Sequence, residues 1–119
     1  MKEEIKNWHE RSKRDFDTAK YLFDGRKYEE SAFFCQQAAE KALKCLLLKK
    51  TKELIKIHDL VLLARKLNAP KEVIISCSKI TPAYIDSRYP DLFRKYSEKD
   101  SEEIILLTKE VLEWIEKSL

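Results

Sequence analysis

The sequence predicts an all-α protein, an up-and-down antiparallel bundle of four to five helices in one domain over residues 1–119. Three observations indicate this fold class. Apolar residues recur every three or four positions through most of the chain, which is the period of an α-helix. Lys, Glu, Leu and Ile, which suit long helices, dominate the composition. One glycine and three prolines supply too few turns for an all-β fold.

The first two predicted helices are long. The first runs from about Glu3 to Phe23, and Gly25 after it is expected to take the left-handed conformation that closes many helices. The second runs from about Tyr28 to Lys49 and is apolar around most of its circumference. Such a helix is usually the central one of a bundle.

The next two predicted helices are shorter. His58 and Asp59 open a helix that runs through Leu67, with Asp59 as N-cap or first-turn acid. Another begins near Lys71, and Pro82 kinks or restarts it.

The last predicted helix follows a break at Pro90, because the residue before a proline avoids helical geometry. It starts at Asp100 or Ser101. Asp100 with Glu103 three residues later resembles a capping box.

Charge and hydropathy restrict the classes of function. Charged residues make up 38% of the chain but nearly cancel to +3, so the bulk charge does not favour nucleic-acid binding, which would need a local patch. No stretch approaches the ~20 apolar residues that span a bilayer. We therefore expect a cytoplasmic protein without membrane contact. The abundance of Lys and Glu hints at a thermophilic source.

The three cysteines, Cys35, Cys45 and Cys77, show no CxxC spacing and are expected to be small buried apolar residues. Only two histidines accompany them, so no metal site is predicted. The sequence contains no Gly-rich phosphate loop and no recognisable hydrolase motif. No cofactor is expected.

A polar row on the second helix is the first candidate site. On a helix turning about 100° per residue, one face carries Gln37, Glu40, Lys41 and Lys44. One interpretation is a solvated stripe with Glu40–Lys44 pairing at i, i+4. Phe33 and Leu48 lie on the same stripe above and below, which favours instead a partly covered groove or a subunit contact.

A second candidate lies around Arg88, between Tyr84 and Tyr89. Arg88 could simply end a helix, where the dipole favours a cation, paired with Asp86 or Asp91. Alternatively its planar fork of donors binds a phosphate or carboxylate, with the tyrosines as stacking faces.

His58 is the third candidate. It is either a helix-start histidine with a satisfied ring or a proton carrier or phosphate contact. The adjacent basic run is either a solvated loop or an attractor of acidic partners; it comprises Lys49, Lys50, Lys52 and Lys56.

Several segments together resemble the HEPN family, named for higher eukaryotes and prokaryotes nucleotide-binding, in its stand-alone prokaryotic form. They are residues 8–28, residues 32–44 (AFFCQQAAEKALK), residues 57–60 (IHDL) and residues 84–91 (YIDSRYPD). The resemblance implies a helical bundle, commonly a homodimer, frequently paired with a minimal nucleotidyltransferase in toxin–antitoxin-like modules. It also implies nucleotide binding for parts of the family.

Many HEPN proteins are metal-independent ribonucleases that use an Arg followed by His after four to six residues. This chain departs from that pattern, since 31 residues separate Arg26 from His58 and no Arg stands at the required spacing before His9 or His58. We therefore do not transfer ribonuclease activity, and no residue is assigned a catalytic role on this basis.

Three hypotheses follow. The first is a dimeric module that binds a nucleotide or a nucleotidyltransferase partner through Gln37, Lys41, Lys44, His58, Tyr84, Arg88 and Tyr89. In it, Lys41, Lys44 and Arg88 would hold phosphates. The second is a ribonuclease toxin with an atypical site, in which His58 is the general acid or base and Arg88 the phosphate clamp. The third is a purely structural dimerisation domain.

Overall fold

The computed structural model describes residues 2–84 and 95–119. Across these residues the chain is mostly helical and contains no β-strand. Five helices are bounded as follows: α1 Glu3–Asp24, α2 Tyr28–Thr51, α3 Leu60–Lys66, α4 Lys71–Ile80 and α5 Glu98–Ser118. The predicted all-α bundle is confirmed.

The central helix is α2, which contacts each of the other four. Its 24 residues extend about 36 Å at 1.5 Å per residue, close to the 37 Å long dimension of the molecule. Small side chains allow neighbouring helices to approach, and leucines fill the space between them. The fully or nearly fully buried residues include Ala38, Ala39, Ala42, Leu43, Leu46 and Leu47.

The connection between α1 and α2 differs from the prediction at one residue. Gly25 has φ −81°, whereas Arg26 has φ 63° and takes the left-handed conformation. The amide of Lys27 donates to the carbonyl of Leu22 at 2.8 Å, and that of Arg26 to Phe23 at 3.0 Å. These two bonds form the closing motif in which the left-handed residue stands one position beyond the cap. Because α1 extends through Asp24, that position falls on Arg26.

The third helix begins as predicted. The Asp59 carboxylate accepts hydrogen bonds from the amides of Val61 and Leu62 and so acts as the N-cap. The apolar residues Leu60, Leu63 and Ala64 of this helix and its C-cap Leu67 are all buried. The chain then turns through Asn68, which has φ 54°.

Of the two predicted effects of Pro82, a kink or a restart of the helix, the structure shows the restart. The α4 helix ends at Ile80, and residues 82–84 are helical again. The predicted break at Pro90 lies outside the described residues.

The start of α5 corrects the predicted capping box. Ser97 is the N-cap and accepts from the Asp100 amide, while the Asp100 carboxylate accepts from the Ser97 amide. The box is therefore Ser97 with Asp100, not Asp100 with Glu103, since an acid three residues after a serine fits the third helical position.

The cysteines are buried, as predicted, and all three thiols are free. Burial raises the pKa of the Cys35 thiol to about 12, although the Thr108 side chain beside it lowers that pKa in part. Burial, with the nearby charge of Asp59, also raises the pKa of Cys77 to about 12. No helix among residues 2–84 and 95–119 is long and apolar enough to cross a membrane.

Candidate functional site

The central helix carries three polar residues spaced one turn apart on a buried face. They are Gln36, Glu40 and Lys44, and each is buried. Residues at i and i+4 lie above one another on a helix, so the three side chains form a continuous row. The row faces the segment that leads into α3, because Gln36 and Glu40 both contact His58.

The Glu40 carboxylate is the centre of this cluster. Its Oε1 accepts from Gln36 Nε2 at 3.0 Å. Its Oε2 accepts from Lys44 Nζ at 3.0 Å and lies 3.0 Å from His58 Nδ1. The side chains of Lys44 and Glu40 are only 7% and 8% exposed. The solvated-stripe interpretation is therefore wrong for these two residues, although the i, i+4 pair that it included exists.

Two glutamines complete the cluster. Gln36 Nε2 also donates to the His58 carbonyl at 3.3 Å, and Gln36 Oε1 accepts from Gln37 Nε2 at 2.7 Å. Gln36 thereby ties the backbone before α3 to the central helix. We call Gln36, Gln37, Glu40, Lys44 and His58 the Glu40 cluster.

Electrostatics keep Glu40 ionised. Burial by itself raises the pKa of a carboxyl group. Hydrogen bonds from Gln36, Lys44 and His58 and the charge of Lys44 outweigh burial, so the pKa of Glu40 lies below its ordinary value. At neutral pH the carboxylate therefore acts only as an acceptor.

His58 lies at the outer edge of the cluster, next to Tyr84. The two rings stack with centroids 5.0 Å apart and planes 13° apart. The His58 side chain is 55% exposed, and Tyr84 is partly buried in the helical turn that follows Pro82. The structure thus brings together Lys44, His58 and Tyr84, which sequence reasoning placed in one site. Gln37 joins them through Gln36.

Lys41 points to a different neighbour. Its ammonium group pairs with the Asp15 carboxylate of α1. Asp15 is buried on the face of α1 that packs against α2. The two lysines assigned to phosphate are therefore both paired within the chain, Lys41 with Asp15 and Lys44 with Glu40.

Arg88 and Tyr89 lie outside the described residues. The predicted surface shared by α2 and the Tyr84–Pro90 segment is described only at its Tyr84 end, where the ring meets His58.

The basic run is exposed, but only Lys52 and Lys56 lie beyond the helix, because Lys49 and Lys50 belong to the last turn of α2. Lys49 and Lys52 line a cavity of about 570 Å³ whose apolar wall comprises Ile5 and Leu48. No residue of the Glu40 cluster lines this cavity.

Sequence reasoning missed three contributors: Gln36, Asp15 and the central role of Glu40. The spacing of Gln36, Glu40 and Lys44 was the available signal, since three polar residues one turn apart on a largely apolar helix are unusual. Asp15 carried no comparable signal, because its pairing with Lys41 depends on how α1 and α2 pack.

The cluster can perform a limited set of chemical tasks. With Tyr84 it presents a stacked ring pair in which the Glu40 carboxylate holds the His58 ring, an arrangement that suits ligand binding or proton transfer. No group of three or more potential metal ligands occurs among residues 2–84 and 95–119.

The fold and this cluster define the class of protein: a small helical bundle whose central helix supports a buried polar cluster opening at one histidine. The HEPN domain profile matches residues 5–118, so the chain belongs to the HEPN family.

Two solved structures are similar. The crystal structure of ST0689, an archaeal HEPN homologue, is 31% identical over 98% of both chains, with a TM-score of 0.83. TT1696 from Thermus thermophilus is 24% identical, covers 99% of this chain and all of its own, and has a TM-score of 0.91; it shows the likeness of fold alone. No curated protein matches this chain significantly.

Proposed function

We propose that this HEPN protein is a binding module whose ligand surface is centred on His58 and Tyr84 and takes a nucleotide. The observation that carries the proposal is the stacked, partly exposed ring pair fixed to the buried Glu40 cluster. A buried ion pair contributes little net stability, because desolvation offsets the attraction. The Glu40–Lys44 pair lies behind the exposed His58 ring and holds it through Glu40, which is an arrangement that suits a ligand-binding surface.

Nucleotide recognition needs an aromatic face, a polar contact and a cation for phosphate. Tyr84 and His58 supply the first two. Lys44 could reach a phosphate only by leaving Glu40, which would leave a buried carboxylate without its cation. Arg88, four residues after Tyr84, is therefore the first candidate to bind the phosphate, and Tyr89 would add a further hydroxyl or stacking face.

Calorimetric titration with ATP, GTP and UTP tests this function. We expect saturable binding by the wild type that is weakened by His58→Ala and by Arg88→Ala. Arg65→Ala removes an exposed arginine at the end of α3 and His9→Ala removes the other histidine; both serve as matched controls. Absence of heat and of a thermal shift with all three nucleotides would remove the nucleotide role.

The partner is a second part of the proposal. Membership of the HEPN family supports a homodimer and a minimal nucleotidyltransferase as partners, in a toxin–antitoxin-like module. Sedimentation at micromolar concentration tests the dimer, and a monomer there would count against it and against a purely structural dimerisation role. Co-purification with the product of an adjacent nucleotidyltransferase gene, where one exists, tests the second partner.

The Glu40–His58 contact supports one alternative, a metal-independent ribonuclease. A carboxylate that holds a histidine ring is the usual support for a general base. The alternative needs Arg88 within roughly 5–8 Å of His58, so that both reach one phosphodiester. RNA cleavage in EDTA by wild type and by His58→Ala decides it: equal and negligible cleavage by both excludes this activity.

A further inference from the structure

The two ring nitrogens of His58 have different surroundings. Nδ1 lies 3.0 Å from Glu40 Oε2. Nε2 makes no hydrogen bond within residues 2–84 and 95–119, while the side chain is 55% exposed. Any ligand that approaches the ring edge therefore meets Nε2.

The contact that Nδ1 makes determines whether Nε2 carries a proton. An ionised carboxylate has no proton to donate, so the Glu40–His58 bond requires the proton to be on Nδ1. A neutral imidazole carries one proton, which leaves Nε2 with a lone pair. Protonation of the ring would turn Nε2 into a donor, so Nε2 accepts a hydrogen bond only while the imidazole is neutral.

Glu40 has little freedom to release this arrangement. Gln36 holds its other oxygen, and Lys44 shares the oxygen that faces His58. The stacked Tyr84 ring covers one face of His58. The orientation of the imidazole is therefore fixed by groups on α2 and on the turn after Pro82.

We propose that Glu40 is a positioning residue that presents His58 Nε2 as a hydrogen-bond acceptor, so that the ligand group meeting His58 is a donor, an amine or a hydroxyl of a nucleoside. This inference rests on the proposed nucleotide-binding function and assigns the phosphate to another part of the site. A phosphate offers only acceptors to a neutral Nε2 and finds no donor there.

The tautomer can be measured without any ligand. Nitrogen-15 NMR at pH 8.5 resolves the ring signals of the two histidines, His9 and His58. The His9→Gln variant assigns them, because only the His58 signals remain in it. Wild-type His58 should carry its proton on Nδ1. His9 is an internal reference, because Glu116 contacts it through Nε2.

Glu40→Gln tests the positioning role, because an amide can donate as well as accept and no longer dictates the tautomer. We expect a mixture or a reversal at His58 and no change at His9. Since Glu40→Gln leaves Lys44 unpaired, Glu40→Gln with Lys44→Met provides a second variant without the buried charge. A wild-type His58 protonated on Nε2, or a tautomer unchanged in both variants, would overturn the assignment.

Binding of nucleosides tests the donor. Adenosine, guanosine, cytidine and uridine are titrated with wild type and with His58→Phe, which keeps a ring against Tyr84 but removes Nε2. Loss of one hydrogen bond corresponds to roughly 3- to 10-fold weaker binding. We expect such a loss for the nucleosides and no effect of His58→Phe on the binding of pyrophosphate alone.

Two analogues locate the donor. N6,N6-dimethyladenosine lacks the exocyclic donor, and 2′,3′-dideoxyadenosine lacks the 2′ and 3′ hydroxyls, so the weaker binder identifies the group at His58. Equal binding of both analogues and adenosine would overturn the donor inference while leaving nucleotide binding intact. If no nucleoside or nucleotide binds, the proposed function and the donor both fail, and the tautomer measurement still decides the role of Glu40.

Discussion

Helices α2 and α5 bury polar side chains in opposite ways. On α2, Gln36, Glu40 and Lys44 are held in a hydrogen-bonded network that reaches His58. On α5, the hydroxyls of Ser101 and Thr108 are buried without a hydrogen-bond partner in the part of the chain that the structure describes. Thr108 lies beside the Cys35 thiol, a weak hydrogen-bonding group.

The difference separates two reasons for a polar residue in a core. Ser and Thr are small, so on α5 they fill space at the cost of a partly unsatisfied hydroxyl. The α2 residues are long, two of them are charged, and burying them is expensive unless every group is paired. A network of this kind restricts the geometry of the residue at its edge, which in this protein is His58.

The largest expected effect comes from breaking the α2 network. Glu40→Leu leaves the Lys44 ammonium buried without a counter-charge and should lower the free energy of unfolding by about 3–5 kcal/mol. Urea denaturation followed by circular dichroism measures this change. Glu113→Leu, at an exposed position on α5, is the matched control and should change it by about 0.5 kcal/mol or less. Equal effects would contradict the contrast between the helices.

Removing both charges should recover most of that loss. In Glu40→Leu with Lys44→Leu no unpaired ion remains, and apolar replacement of a buried pair is often neutral or stabilising. We expect stability within about 2 kcal/mol of wild type, the remainder reflecting the lost acceptor of Gln36. A double variant as unstable as the single one would show that the ion pair is not the source of the effect.

The pH dependence sharpens the same point. The folded-state pKa of Glu40 lies below its ordinary value, which is about 4.3. The stability that this contributes is fully present above that value and is lost as pH falls through the folded-state pKa. The stability difference between wild type and Glu40→Gln should therefore be greatest near pH 7 and shrink below about pH 4.3. Unfolding curves at pH 7, 5 and 3 test this, and a difference that grows with acid would refute it.

The smallest effect is expected on α5 and has the opposite sign. Thr108→Val keeps the shape of the side chain and removes the unpaired hydroxyl, so stability should rise by about 0.5–1 kcal/mol. Ser101→Ala should act in the same direction. A loss of stability in both variants would mean that these hydroxyls are hydrogen-bonded in solution.

Periodicity was sufficient to predict the fold. The stripes on α2, α3 and α5 are visible in the sequence, and Asp59 was identified as a cap because an acid before an apolar run satisfies free amides. The errors fell at helix ends. Both Arg26, in place of Gly25, and Ser97, in place of Asp100, differ from the predictions because a cap depends on where the last or first helical hydrogen bond forms.

The candidate site was predictable only in part. Local spacing brought Gln37 and Lys44 together, but the side of α2 that faces α3 depends on packing between helices. The pairing of Lys41 with Asp15 and the stacking of His58 on Tyr84 join residues 26 positions apart in both cases. Contacts between residues so far apart in the chain depend on how the helices pack, and local spacing in a single sequence does not predict that packing.

The buried thiols offer a practical consequence. Cys35 and Cys45 lie on different turns of α2, and Cys77 lies on α4. A thiol that is buried and protonated reacts with alkylating agents only after the surrounding structure opens. The three cysteines are therefore built-in probes of local opening. The alkylation rate of each thiol, measured separately, would report which end of the bundle opens first without any engineered label.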